Sequence, residues 1–198
     1  MRGMEQRSSL PRRSALAMAC ATIISFPARA GVPVFGGRAA ADPRADAWSS
    51  AALAAPDGSP LRLADIPTPL VFVNLWASWC PACLAELGPL QSMASTLGGA
   101  TVSVIMVGHP ANAKADLAYA RSRQLPFPAF AFAPGTPAAV VGGAFGADAG
   151  GHFAVPQSLV FGGFPRRLLR SVTGPADWDS PEEAASLLEM AESMRREG

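Results

Sequence analysis

Three residues in the stretch W-A-S-W-C-P-A-C-L-A-E, positions 76–86, could do chemistry together: Cys80, Cys83 and Glu86. Two cysteines with two residues between them can close a disulfide and reopen it, which is thiol–disulfide exchange. Cys80 stands where an apolar run gives way to a helix, with Pro81 preset for the first helical turn. Unpaired N–H groups and the helix dipole favour a thiolate there, so Cys80 is the expected nucleophile near neutral pH. Cys83, one turn on, is placed to attack a mixed disulfide formed at Cys80. Glu86 lies three residues past Cys83, on the same side of a helix. As a solvated acid it would merely suit the dipole. As a partly buried carboxyl it would raise a thiol pKa and carry the proton of Cys83. Trp79 is expected at the rim as an apolar contact for substrate, and Trp76 in the core.

Other uses of a cysteine pair are weaker here. A zinc site needs about four ligands, and beyond the pair the chain offers only His109 and His152, far apart in sequence. A purely structural disulfide over so short a loop constrains the unfolded chain little. Cu(I) delivery is compatible with thiolates, although copper carriers usually space their cysteines more widely. No metal ligand set is assigned, and no cofactor beyond the redox-active Cys80–Cys83 pair. His109, at the end of a strand, reads as solvent-facing.

The elements around the pair follow from periodicity. Residues 71–76 are apolar and β-prone, as in a strand buried on both faces. Residues 81–97 carry a helical stripe of Leu84, Leu87, Leu90, Met93 and Leu97, with a kink expected at Gly88-Pro89. A second buried strand is predicted over 101–107, a helix over 111–123 and an extended segment over 127–133. Thr136-Pro137 predicts an N-cap and first position for a short helix to about Phe145. A Gly/Ala-rich loop, 147–154, leads to Val155-Pro156 and a strand over 157–161, since proline is tolerated at a strand's start. Gly162-Gly163 turns this into an antiparallel partner, 167–172. Ser180-Pro181-Glu182-Glu183 is a capping box opening a last helix to about Arg195. Before the first long strand, Pro56-Asp57-Gly58-Ser59 predicts a turn between short strands near 52–55 and 60–63.

The first thirty residues read as an export signal rather than fold. Arg2, Arg7, Arg12 and Arg13 precede an apolar run over 14–26, and Ala28-Arg29-Ala30 is a cleavage site. Arg12-Arg13 also fits a twin-arginine signal. An uncleaved anchor and a lipoprotein site at Cys20 are the alternatives, though the apolar run is short for a span. Removing this segment takes away five arginines and one glutamate, leaving 11 basic against 14 acidic residues, a formal charge of −3. No basic patch is left, which argues against nucleic acid as a partner. The layout is therefore a signal over 1–30, a flexible lead-in over 31–50 in which Trp48 docks on the domain, and one domain over 51–198.

The string Asn74-Leu75-Trp76-Ala77-Ser78-Trp79-Cys80-Pro81-Ala82-Cys83, with Glu86 beyond it, resembles the TlpA/ResA/CcmG branch of thioredoxin-like proteins. The resemblance covers roughly residue 54 to the C-terminus. It implies a thioredoxin fold, a central mixed β-sheet flanked by helices, with an N-terminal β-hairpin extension. It implies that Pro156 is cis, faces the disulfide and leaves the Val155 backbone to pair with substrate. Asn74 stands where thioredoxin itself carries a buried acid, so the resemblance gives that work to Glu86. The helix proline falls one residue later than the branch usually has it, at Pro89. Gly174-Pro175-Ala176-Asp177-Trp178 resembles the link before the last helix of this branch, and the sequence assigns it no role. The implied activity is periplasmic thiol–disulfide exchange. Clients would be exported proteins such as apocytochrome c or copper-site proteins, with a membrane thiol donor upstream and an N-terminal membrane tether as an option. A disulfide-forming oxidase and a copper-binding chaperone are the alternatives.

Overall fold

The structure, a computed structural model, describes residues 44, 47–48, 51–146 and 153–197. The export signal, most of the lead-in and residues 147–152 of the Gly/Ala-rich loop lie outside the described residues. Seven strands form one sheet: β1 Leu53–Ala54, β2 Pro60–Leu61, β3 Leu70–Trp76, β4 Val102–Gly108, β5 Ala129–Phe132, β6 Gln157–Gly162 and β7 Arg167–Thr173. Their order across the sheet is β2-β1-β5-β4-β3-β6-β7. Among the described residues, the helices are α1 Pro81–Ala85, α2 Leu87–Leu97, α3 Ala113–Ser122, α4 Ala138–Phe145 and α5 Pro181–Glu197, with a short 3-10 turn over Leu63–Asp65.

β3 lies inside the sheet, between β4 and β6, and all seven of its residues are buried. It runs parallel to β4, from Leu70 opposite Val102 to Trp76 opposite Gly108. On its other edge β6 is antiparallel, from Leu70 opposite Gly162 to Leu75 opposite Gln157. A parallel neighbour requires a crossover, which α1 and α2 supply, whereas β6 and β7 need only a tight turn. Strand alternation sorts the side chains into two cores. Leu70, Phe72 and Trp76 meet Cys83, Leu90, Met93, Ala120, Leu187 and Ala191 of α1, α2, α3 and α5. Val71, Val73 and Leu75 meet Trp48, Phe130, Phe145 and Phe161 on the opposite face. Each fully buried side chain of this size contributes about 1.5–3 kcal/mol. Trp48 docks as expected: it is buried, and its indole N–H donates to Ala144 O at 3.1 Å. The N-terminal hairpin extends the sheet, with Leu53 opposite Leu61 and also opposite Phe132 of β5.

Three local expectations are corrected. The first helix breaks at Glu86, ahead of Gly88-Pro89, because Pro89 has no N–H for the carbonyl four residues back and its ring crowds that carbonyl. Glu86 thus ends α1 and caps α2. Thr136 does not cap α4: its hydroxyl donates to Ala133 O at 2.8 Å, and Pro137 holds the cap position. The capping box is half made. Glu183 N–H donates to Ser180 Oγ at 3.2 Å, but the Glu183 carboxylate is paired with Arg170 at 2.6 and 2.7 Å instead of returning to Ser180. In the β6–β7 turn a second cis bond, Phe164–Pro165, precedes Arg166. The Arg166 guanidinium is buried and donates to the carbonyls of Leu63, Ile66, Thr68 and Pro69, which locks the approach to β3. Among the described residues no helix is long and apolar enough to cross a membrane.

Candidate active site

The site forms where β3 ends. Cys80 is the N-cap of α1, with extended backbone, and its Sγ accepts the N–H of Cys83 at 3.1 Å. The two cysteines are joined in a disulfide. Cys80 is 5% exposed and Cys83 1%, so both sulfurs are buried and Cys80 is far more enclosed than an open nucleophile would be. Trp79 stands at the rim, 58% exposed, and Trp76 is buried against Tyr119.

A second segment closes over the pair. The Val155–Pro156 peptide is cis, as the resemblance implied, and Cys80 Sγ lies 3.8 Å from Val155 O. In the disulfide there is no S–H, so this is a contact; a Cys80 thiol could donate across it. Gln157, just past the proline, was not singled out from sequence. Its buried side-chain amide donates to Phe145 O at 2.9 Å and to Ala154 O at 2.7 Å, tying α4 to the segment that carries Val155.

Glu86 is buried, which rules out the reading of a solvated helix acid. Its Oε1 accepts the Ala176 N–H at 2.7 Å and the Trp178 indole N–H at 2.9 Å. Its Oε2 is buried with no hydrogen bond of ordinary geometry. Burial pushes the carboxyl above its usual range, opposed by the Ala176 and Trp178 donors and most weakly by the nearby Asn74 amide. That amide is itself committed to Ser158 Oγ at 3.1 Å.

Asp116 of α3 went unnoticed in the sequence and is fully buried. Its Oδ1 accepts from Ser78 N at 2.7 Å and Asn112 Nδ2 at 3.0 Å, and its Oδ2 from His109 N at 3.0 Å. It therefore pins the loop leading into Trp79-Cys80 to the end of β4. The available signal was an acid four residues before Ala120, on the face that α3 turns inward. His109 is corrected: its ring is half-buried among Trp79, Phe145 and Phe153, with centroids 5.8, 5.9 and 5.5 Å away. Burial lowers its pKa, and Asp116 opposes that shift. Among the described residues no three His, Cys, Asp or Glu side chains gather as a metal-holding group.

A disulfide closed over the first turn of a helix at the end of β3 can take up or give two electrons by thiol exchange. Solved structures share this fold. A thioredoxin-related protein from Neisseria meningitidis serogroup B is 17% identical, with a TM-score of 0.54 over 71% of this chain and 98% of that one. An exposed lipoprotein thioredoxin of Streptococcus pneumoniae is 22% identical, with a TM-score of 0.51 over 72% and 97%. A secreted disulfide oxidoreductase of Mycobacterium tuberculosis is 17% identical, with a TM-score of 0.50 over 75% and 98%. At these identities the likeness is one of fold. Fold and disulfide together define a thioredoxin-fold thiol–disulfide oxidoreductase. The model of the AhpC/TSA family matches residues 45–148, more than half of the chain, and the chain belongs to that family.

Proposed function

We propose that this protein reduces disulfides of exported client proteins, in the manner of the TlpA/ResA/CcmG branch, with Cys80 attacking and Cys83 resolving. The observation that carries this reading is the burial of Glu86 one turn beyond Cys83. A carboxyl there disfavours a second negative charge and so raises the pKa of the neighbouring thiol. Strong oxidants depend on an unusually stable reduced form, which such a carboxyl works against.

In the reduced protein the Cys80 thiolate attacks one sulfur of the client disulfide. A mixed disulfide forms, and the client's other sulfur leaves as a thiolate. Cys83 gives its proton to the Glu86 carboxylate and attacks Cys80 Sγ. The Cys80–Cys83 disulfide closes, the second client sulfur leaves, and two electrons have passed to the client. Trp79 offers an apolar contact to the incoming segment, and the Val155–Pro156 segment lies across the reacting sulfur. A membrane dithiol donor restores the thiols. Export to the periplasm rests on the Arg-rich apolar N-terminus and its cleavage site. Fold neighbours described as secreted or exposed are in keeping with it. Disulfides of apocytochrome c or of copper-site proteins suit a dedicated reductant.

The test is a reduction potential together with turnover on a disulfide-bonded C-x-x-C-H peptide. A potential below about −200 mV and stoichiometric peptide reduction are expected. A potential near about −120 mV, with the dithiol peptide oxidised instead, would make the protein an oxidase.

A further inference from the structure

Both donors to Glu86 come from one place, the link between β7 and α5 that contains Gly174-Pro175-Ala176-Asp177-Trp178. The Ala176 N–H and the Trp178 indole N–H converge on the same oxygen, Oε1, at 2.7 and 2.9 Å, while Oε2 is buried with no hydrogen bond of ordinary geometry. This asymmetry has a chemical consequence. A carboxyl oxygen that accepts two N–H groups cannot also carry a proton without turning an O–H toward a donor and losing one of the bonds. Oε2 is free of that conflict.

We infer that Trp178 is a positioning residue for the exchange reaction: its indole N–H holds Glu86 by Oε1, so that Oε2 is the atom that takes up the proton of Cys83. The inference rests on the proton-carrying role of Glu86 given above. In the step concerned, the Cys83 S–H bond breaks, an O–H bond forms at Glu86 Oε2, and the Cys83 sulfur pair makes the bond to Cys80 Sγ. No other reactant is needed.

Packing alone would account for a buried aromatic at this position, since Trp178 stacks edge-on to Phe72 with centroids 4.9 Å apart. It does not require the N–H to end on the acid one turn past Cys83. The groups that interact with Glu86 are the Asn74 amide from β3 and Ala176 with Trp178 from the link, and Cys83 precedes it by three residues on α1. Of these only Cys83, once its disulfide is opened, has a proton to give, and Asp177 and Asp179 of the same link are exposed. Each donor to Oε1 favours the charged carboxylate, so losing one makes Glu86 harder to ionise.

The experiment follows resolution of a Cys80 mixed disulfide with a small aromatic thiol across pH, in the wild type, Glu86→Gln, Trp178→Phe and the double variant. The resolution rate should rise with pH in the wild type as Glu86 becomes able to accept the proton. Trp178→Phe should move that rise upward by about one pH unit, slowing resolution up to about tenfold at intermediate pH. Glu86→Gln should abolish the rise that Glu86 governs, leaving only the one set by the ionisation of Cys83 itself, and adding Trp178→Phe to it should change nothing further. If Glu86→Gln removes the rise while Trp178→Phe leaves it in place, the inference on Trp178 is overturned and the role of Glu86 stands. If Glu86→Gln leaves the wild-type profile, the role of Glu86 falls, and the inference with it. Should Trp178→Phe fail to fold, the benzothiophene analogue of tryptophan at position 178 keeps the bicycle and removes only the N–H. The same shift is expected of it, and an unshifted profile overturns the inference.

Discussion

Asp116 holds the approach to Cys80 by accepting from chain segments on both sides of it. Replacing it with alanine leaves the half-buried Ser78 N–H without its acceptor and takes one of two acceptors from His109 N–H, which also donates to Trp76 O. Hydrogen bonds to a charged group contribute about 1.5–3 kcal/mol each. Asp116→Ala should therefore lose about 2–4 kcal/mol in denaturant unfolding and slow client reduction, with Asp116→Asn losing less. Unaltered stability and turnover in Asp116→Ala would show that the loop holds itself. Cys80, Cys83 and Glu86 were legible in the sequence because their relation is local, fixed by helical spacing. Asp116 was not, because Ser78 lies 38 residues away and comes close only once α3 packs beside the end of β4. The inward ring of His109 was hidden for the same reason, as its neighbours Phe145 and Phe153 come from distant segments.

Within the elements, β6 has two ends with different duties. Gln157 and the proline before it face the disulfide end, while Gly162 sits opposite Leu70 at the far end. A Cβ at Gly162 would come within 2.6 Å of Leu169 Cδ1, 2.8 Å of Met194 Cγ and 2.9 Å of Leu70 Cδ2. These are side-chain tips, so they can give way, but three at once in a packed core resemble an overpacking substitution. Gly162→Ala should cost about 1–3 kcal/mol of stability and leave the rate of client reduction unchanged per folded molecule. Thermal unfolding beside turnover checks this, and loss of rate at full folding would mean that the far end communicates with the site. Helix and strand identities could be read from apolar periodicity. The break at Glu86 could not be placed from the Gly88-Pro89 signal alone, because a proline acts on the carbonyl four residues before it. That displacement matters: it makes Glu86 the joint between α1 and α2, where its side chain meets the link before α5.

For the whole molecule, alternation along β3 already divides the two cores, and the mixed sheet followed from one crossover and one hairpin. The pairing of β1 with β5 was beyond reach, because two-residue strands carry almost no pattern. Burial of Glu86 couples the site to global stability. An acid whose folded pKa is raised binds more protons folded than unfolded between its ordinary value of 4.5 and the raised one. The folded state then loses stability as pH rises through that interval, and the loss levels off above the raised value. In the oxidised protein, where the thiols do not titrate, wild-type stability should fall relative to Glu86→Gln as pH rises from 4.5 toward neutrality. Chemical unfolding at a series of pH values measures the difference. A flat difference would mean that Glu86 ionises in the fold as readily as in the unfolded chain.

The central claim is that exchange begins at Cys80 and is completed by Cys83. Its most direct measurement is covalent trapping of exported client proteins by Cys83→Ser, with the adduct located by mass spectrometry. The resolving sulfur is absent in that variant, so mixed disulfides should accumulate on Cys80, and Cys80→Ser should trap far less under the same conditions. Accumulation on Cys83 in Cys80→Ser, with none on Cys80 in Cys83→Ser, would contradict the assignment.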